Sequence, residues 1–391
     1  MARILVLIPA GEVYNHDCVR WYRANDVQRW IGHYHNIGDA FVYDSSLKLL
    51  DFESHKAPDL EKATTDDVDR WNEEYDYCFL RGSNYINSEM SWGNITNVID
   101  RLKIPVIAFG IGAQAPSSGN LVLSDDTKHV LRAIADRCIS VGVRGSYTAQ
   151  VLWDVGVKNV RIVGCPTMFR NRDPHLRIDL PPIQDVRRVG YTLRREVSQT
   201  YSQDMARYLD LQHRTILDIA SRFDITVMAQ GEIEEKKLVL GSEPDREDAR
   251  AALSARNWFK GADDPMREIY EHRLFYSDVV ADYDAMARKQ DLVLGFRLHG
   301  NLISLANSVP AIYFTYDSRT AEFVETFEIP AFDIYSGKPF VLEEYWDQAR
   351  FERFNRVYYQ RYRDMRQFLD ENGVAHRLAE SHSELRSRHV A

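Results

Sequence analysis

The strongest constraint on this chain is a series of short, nearly unbroken apolar runs set between stretches of helical character. In the first half the runs are residues 4–8, 76–80, 104–109, 138–143 and 160–163. Each is too short for a buried helix and too apolar for a strand with one wet face, so each reads as a strand covered on both sides. Helical patterns fall between them, at 39–50, 94–102, 125–136 and 146–155, the last ended by Gly156. The second half repeats the arrangement, with strands expected at 187–193, 224–229, 291–296 and 310–314 and helices at 204–222, 282–289 and 301–307. Strands buried on both faces and alternating with helices imply an α/β doubly wound architecture built on parallel sheets.

A chain of 391 residues is long for one such unit, since domains run at roughly 150 residues. The stretch 171–186 contains Pro174, Pro181 and Pro182 and little helical period, as a linker should. We therefore expect an N-terminal lobe over 1–175 and a C-terminal lobe over 176–345. A long amphipathic helix and polar tail follow over 346–391. Phe354, Val357, Tyr358, Met365, Phe368 and Leu369 lie on one face of that helix, which ends near Gly373. Its Tyr358, Tyr359, Arg361, Tyr362 and Arg363 also suit a peripheral membrane or subunit contact, although packing back across both lobes is the preferred reading. The charged stretch 231–275 reads as a solvated helical insertion, the alternative being a lid over the cleft.

Several function classes fall away. The formal net charge is −9, the wrong sign for a nucleic-acid surface. Cys18, Cys78, Cys138 and Cys165 are scattered without a CxxC pair, as expected of reduced thiols in a cytoplasmic protein. No apolar run approaches the ~18–20 residues of a membrane span. The run 4–8 is followed by Glu12 without a small-residue cleavage site, so it reads as a first strand and not as a leader. The sequence has no HExxH, GxSxG or Walker loop, and His33 with His35 is a weak metal signal. We expect no metal and no resident cofactor.

The chemistry-bearing residues sit where strands run into helices. His35-Asn36-Ile37-Gly38-Asp39-Ala40 enters a helix, with Asp39 placed to cap it or to face a cleft. Phe109-Gly110-Ile111-Gly112-Ala113-Gln114 follows a strand end, where open α/β sheets bind ligands, but lacks the third glycine of a dinucleotide fingerprint. Val141-Gly142-Val143-Arg144-Gly145-Ser146 puts Arg144 at another strand end, suited to a carboxylate or phosphate. The sharpest is Gly295-Phe296-Arg297-Leu298-His299-Gly300-Asn301. Here Arg297 and His299, two apart in an extended stretch, should project from one face, next to a helix N-terminus that favours anions. Asp317 and Arg319 follow the next strand. The rim thus collects Arg, His, Asp and Arg for a small anionic ligand.

Taken in order, N-x-G-D from Asn36, G-x-G-x-Q from Gly110, S-V-x-V-R-x-S from Ser140, G-C-P at Gly164, G-x-R-x-H-G from Gly295 and Y-D-x-R from Tyr316 resemble the polysaccharide pyruvyl transferase family. The resemblance implies two Rossmann-like lobes in a GT-B-like pair. It also implies a donor substrate, phosphoenolpyruvate, whose enolpyruvyl unit is moved to a saccharide acceptor. On this reading Arg297 and His299 contact the donor, with Arg144 and Asp39 as further cleft residues. His299 is the expected general acid, Asp39 or Asp317 the base. Arg319, Asn36, Gly38, Gly110, Gly112, Gln114 and Gly300 complete the expected binding set. A nucleotide-sugar glycosyltransferase and a non-catalytic scaffold of a polysaccharide-synthesis complex stand as the alternatives.

Overall fold

The computed structural model describes residues 1–9, 12–15, 18–21, 31, 36–116, 121–196 and 201–380. His33 and His35 lie outside the described residues. The strands are β1 (Ala2–Leu7), β2 (Glu12–Asn15), β3 (Cys18–Trp21), β4 (Phe52–Lys56), β5 (Tyr77–Leu80), β6 (Val106–Ala108), β7 (Val141–Val143) and β8 (Val160–Ile162) in the first half. In the second half they are β9 (Arg188–Thr192), β10 (Asp224–Met228), β11 (Leu274–Phe275), β12 (Leu292–Gly295), β13 (Ala311–Thr315) and β14 (Ala331–Asp333). Apart from the antiparallel β2–β3 hairpin, every pairing among them is parallel.

The first lobe has the sheet order β4-β1-β5-β6, extended by the parallel pair β7-β8 through a bridge between Ile111 and Val143. The second has β11-β10-β9-β12-β13-β14. Counting only the strands of each sheet, the second lobe has the 3-2-1-4-5-6 Rossmann order and the first begins in the flavodoxin-like 2-1-3-4 order. These are two Rossmann-like lobes, paired GT-B-like. In each, the strand order reverses once, between β1 and β5 and between β9 and β12. Such switch points open crevices at the carboxyl ends of the strands. Both crevices face the interlobe space, where Ile37 N–H donates to Gln230 O at 2.8 Å.

Period-two alternation explains the two-sided burial of the strands. Ile4, Val6, Phe79 and Ile107 point into one core, while Leu5, Leu7, Cys78, Leu80, Val106 and Ala108 point into another. The second core is confined to the outer face of the first lobe. The first runs on through Val189, Tyr191, Leu292, Leu294 and Phe314 of the second lobe. The lobes therefore share one apolar core.

The C-terminal helix Gln348–Glu371 fastens that core from behind. On the second lobe's side the Asn355 side chain accepts from Ile178 N–H at 2.8 Å. At its far end Phe368 meets Phe109 of the first lobe (ring centroids 6.0 Å) and Glu371 pairs with Arg161 at 2.8 Å. Tyr358 and Tyr362 are buried and donate to Asp173 O (2.7 Å) and Arg172 O (3.1 Å). Those two of the five residues of the expected exterior contact face point inward, so the helix packs back across both lobes.

Several parts of the fold differ from the sequence reading, which also did not mark the β2–β3 hairpin, β11, β14 or the helix Ser318–Phe327. Strand β4 and the helix Thr65–Glu74 did not announce themselves. β4 is an edge strand, mostly exposed, and needs no apolar run. The helix Thr65–Glu74 is marked instead by a capping box between Thr64 and Asp67. The stretch 231–275 is helical, at Ile233–Leu240, Glu243–Ala255 and Pro265–His272, yet its start is not solvated. Glu232, Glu234, Glu235 and Lys236 are buried because their charges are paired, Glu235 with Arg195 at 2.9 Å.

Beside the chain crossing between lobes, Arg170 is almost wholly buried. Its guanidinium donates to Ser45 Oγ at 2.9 Å and pairs with Asp44 (2.9 Å) on the helix Ile37–Leu49 and with Asp284 on the second lobe's helix Val280–Arg288. Asn307 also donates to Asp284 at 2.8 Å. Replacing Arg170 by Ala removes this cation from Asp284 and leaves Asp44 with the partly exposed Lys48 (2.9 Å), so unfolding in urea should become easier by about 3–5 kcal/mol. An unchanged midpoint and slope would contradict this fastening role.

Candidate functional site

The second lobe's crevice is shaped where β9 and β12 end. Gly295 has φ +138°, and a Cβ there would lie 2.6 Å from Thr192 O, so only glycine fits the turn. Thr192 Oγ1 donates to Asn301 Oδ1 at 2.9 Å, and Asn301 Nδ2 donates to Gly295 O at 3.0 Å. This knot starts the helix Leu298–Ala306 three residues before the expected 301. Arg297 is its N-cap and His299 is in the first turn, so the two do not share an extended face. Arg297 turns back into the lobe, where Nε donates to Leu193 O at 3.0 Å and Nη2 pairs with buried Glu232. Glu232 also accepts from Gln230 and Gly231 N–H at 3.0 and 3.1 Å. Arg297 is thus a buttress of the rim, bound to a carboxylate of its own lobe.

His299 points the other way. It is 5% exposed, and a Cβ on Gly38 would come within 3.0 Å of its Nδ1. Gly38 is therefore what lets the first lobe's helix approach the ring. Asn36 caps that helix by accepting from Gly38 N–H at 3.2 Å and donates to Asp39 Oδ2 at 3.2 Å. Asp39 Oδ1 pairs with Arg81 at 3.1 Å and receives Ser83 Oγ at 3.4 Å. At 18% side-chain exposure, Asp39 is the open carboxylate of the group.

Arg144 occupies the space that Gly112 leaves, since a Cβ at Gly112 would lie 2.7 Å from Arg144 Cδ. Gly110, at φ +71°, makes similar room for Pro166. Arg144 is 0% exposed, and its Nε, Nη1 and Nη2 have no hydrogen-bond partner among the described residues. Its guanidinium lies 5.7 Å from the centre of the Phe323 ring. His299 Nε2 and Arg319 Nε are among the other buried nitrogens in this condition. Arg319 Nη2 donates to Tyr316 OH at 2.8 Å. Burial holds the His299 pKa well below its ordinary value, and the charges of Arg144, Arg319, Arg81 and Arg297 push it the same way. The ring is neutral in this state. Burial likewise disfavours the charge on Arg144. Glu322, buried against the N-terminus of the helix Ser146–Asp154, is pushed up to about 7 by burial while accepting from Thr148 N–H (2.6 Å) and Oγ1 (2.9 Å).

The other expected residues have different work. Asp317 caps the helix Ser318–Phe327, accepting from Thr320 N–H and Oγ1, each at 2.8 Å. Its second oxygen accepts from Gln114 Nε2 across the lobes at 3.0 Å. With both oxygens engaged and 4% exposure, Asp317 is an interlobe strap, as is Gln114. Ala115 and Ser318 add two more bonds beside them, at 2.9 and 3.1 Å. A Cβ on Gly300 would meet Gln230 Nε2 at 2.4 Å and Thr192 Cγ2 at 2.8 Å, so Gly300 serves packing within its lobe. Sequence reading missed Arg81, Ser83 and Glu232. Arg81-Gly82-Ser83 directly follows the apolar run 76–80, the same strand-end signal that singled out Arg144.

A charge buried without an acceptor destabilises the ligand-free fold. Arg144→Met should therefore raise stability without ligand by about 1–3 kcal/mol, while abolishing stabilisation by added phosphate-bearing donors. Loss of stability in the ligand-free variant would contradict the unpaired state of this guanidinium.

The sequence model described as Polysaccharide pyruvyl transferase matches residues 12–318. No curated relative matches the chain. Among solved structures, similarity is found to MnaA of S. aureus in its structure with UDP, at 12% identity, 91% of each chain and TM-score 0.45. It is also found to the UDP-GlcNAc 2-epimerase of Neisseria meningitidis, at 10% identity, 94% of this chain, 99% of that one and TM-score 0.45. The UDP-GlcNAc 2-epimerase of Methanocaldococcus jannaschii gives 9% identity, 99% and 98% coverage and TM-score 0.41.

Proposed function

Because this chain belongs to the polysaccharide pyruvyl transferase family, we propose that it moves the enolpyruvyl unit of phosphoenolpyruvate onto hydroxyls of a saccharide in polysaccharide or glycoconjugate synthesis. The observation that supports this reading is the buried Arg144 guanidinium, which among the described residues has no acceptor, as Arg319 Nε and His299 Nε2 have no partner. Phosphoenolpyruvate brings a carboxylate and a phosphate, which a guanidinium fork and a helix N-terminus suit.

In the reaction, the oxygen of the first sugar hydroxyl bonds to C2 of the donor and the methylene C3 gains a proton, becoming methyl. The C2–O bond to phosphate breaks. The second hydroxyl's oxygen bonds to C2, its proton leaves with inorganic phosphate, and a cyclic ketal remains. His299 is the proton carrier in this scheme. It is neutral because burial and the nearby charges of Arg144, Arg319, Arg81 and Arg297 oppose its protonation, and the donor's negative charge offsets the electrostatic part of that penalty. Its pKa rises on binding, so it takes up a proton and delivers it to C3. Asp39, open and held by Arg81 and Ser83, orients the acceptor hydroxyl and receives its proton. Asp317 and Arg297 hold the walls.

His299→Ala should lower kcat by about 10²–10⁴-fold in an assay of phosphate release from phosphoenolpyruvate with a glycoside panel, with folding intact. Unchanged turnover removes the proton role. At 100 times its Kd the donor should stabilise the protein by about 2.7 kcal/mol. Stabilisation by UDP- or GDP-sugars alone would instead favour the glycosyltransferase alternative.

Titration calorimetry at pH 7 in buffers of different ionisation enthalpy checks the sign of the pKa change. The wild type should take up more protons on donor binding than His299→Asn does, and equal uptake would contradict the charge reversal at His299.

A further inference from the structure

Away from the interlobe cleft, a cavity of about 510 Å³ opens where the helices Ile233–Leu240, Glu243–Ala255 and Pro265–His272 meet the edge strand β11. Three guanidinium groups line it, those of Arg246, Arg250 and Arg267. Arg246 and Arg250 stand one turn apart on the same helix face. Arg246 Nε is buried and has no hydrogen-bond partner among the described residues. Both residues lean on Glu243, at 3.6 and 2.8 Å, but that carboxylate is 58% exposed, and an exposed pair of this kind holds weakly. Arg267 is fixed in place. It donates from Nε to Gly261 O at 2.6 Å and from Nη2 to Ser254 Oγ at 2.9 Å, with its guanidinium 4.7 Å from the centre of the Phe259 ring. Glu271 is the one carboxylate in the lining, so the wall is cationic in a chain whose net charge is −9.

We propose that this cavity is a second anion site, separate from the cleft, and that its ligand carries a diphosphate. A lone carboxylate offers two oxygens and fills one guanidinium fork. A diphosphate offers enough oxygens to engage three forks at once. The half-buried Leu238, Val239 and Leu274 in the same lining give an apolar surface for the body of the ligand. Two sources share this chemistry, a soluble nucleoside diphosphate and the diphosphate headgroup of a lipid. The volume lies within the range of small-molecule pockets, roughly 300–1,000 Å³.

The test uses full-length Arg144→Met protein, whose cleft lacks its anion-binding guanidinium, titrated by calorimetry with UDP and separately with farnesyl diphosphate in detergent micelles. One binding site for at least one probe is expected, weakened by about tenfold or more when Arg246→Gln and Arg250→Gln are added. Binding of UDP would assign the soluble source, and binding of farnesyl diphosphate alone the lipid source. No binding of either probe, or binding that the two added substitutions leave unchanged, overturns the proposal. In the wild-type background, Arg246→Gln with Arg250→Gln should leave phosphate release from phosphoenolpyruvate unchanged. Failure of this site is thereby distinguishable from failure of the cleft reading.

Discussion

Arg144 is a positive charge taken out of water with no hydrogen-bond acceptor among the described residues. Everything near it is arranged to keep it so. Gly112 clears the volume its side chain occupies, Phe323 covers it, and Arg81 and Arg297 are engaged with Asp39 and Glu232. A low-dielectric pocket with an uncompensated cation binds an anion more strongly than the same cation would at the surface, because water competes less. Burial, reinforced by the charges of Arg144, Arg319, Arg81 and Arg297, holds the pKa of His299 well below its ordinary value. On the proposed reading, anion binding and proton uptake at His299 are coupled, because an anion offsets the charges that oppose its protonation.

Such a pocket persists only if the two lobes stay together against the local cost. The fastenings ring the cleft. Arg170 with Asp44 and Asp284 lies beside the chain crossing, Gln114–Asp317 and Ala115–Ser318 at the rim, Glu322–Thr148 beside Arg144, and the C-terminal helix behind. The shared apolar core adds a non-directional term to these bonds. Several residues that look catalytic by type and position, Asp317 and Arg297 among them, belong to this frame. Their charges are already engaged, which distinguishes them from Arg144 and His299.

Much of the fold was legible because parallel strands buried on both faces leave an unmistakable apolar run. What escaped were elements that leave no such run, among them the exposed edge strand β4, the short strands β11 and β14 and the cap-defined helices Thr65–Glu74 and Ser318–Phe327. The site was legible as a set of strand ends, since glycine, arginine and histidine after an apolar run mark the crevice. Which member of the set is free was not legible. Arg297 and Arg144 follow strands in the same way. Only tertiary placement brings Glu232 to one and, among the described residues, no hydrogen-bond acceptor to the other. Glu232 itself was hidden in a run of charges that reads as solvated, because sequence does not show that Glu234 and Glu235 will meet Arg195. The helix start at Leu298 depended on the bonds of Asn301 to Thr192 and Gly295, between residues over 100 positions apart in one of the two cases.

The central claim is that the Arg144 guanidinium is the unoccupied anion receptor of the cleft. Proton–nitrogen NMR of protein labelled at arginine observes this directly, with the Nε–H signal of Arg144 assigned by its loss in Arg144→Met. The account predicts that phosphoenolpyruvate moves that signal in a saturable manner, to the downfield position of a hydrogen bond to an anionic oxygen, with a smaller change at Arg297. A signal at Arg144 that stays put while the donor binds would contradict it.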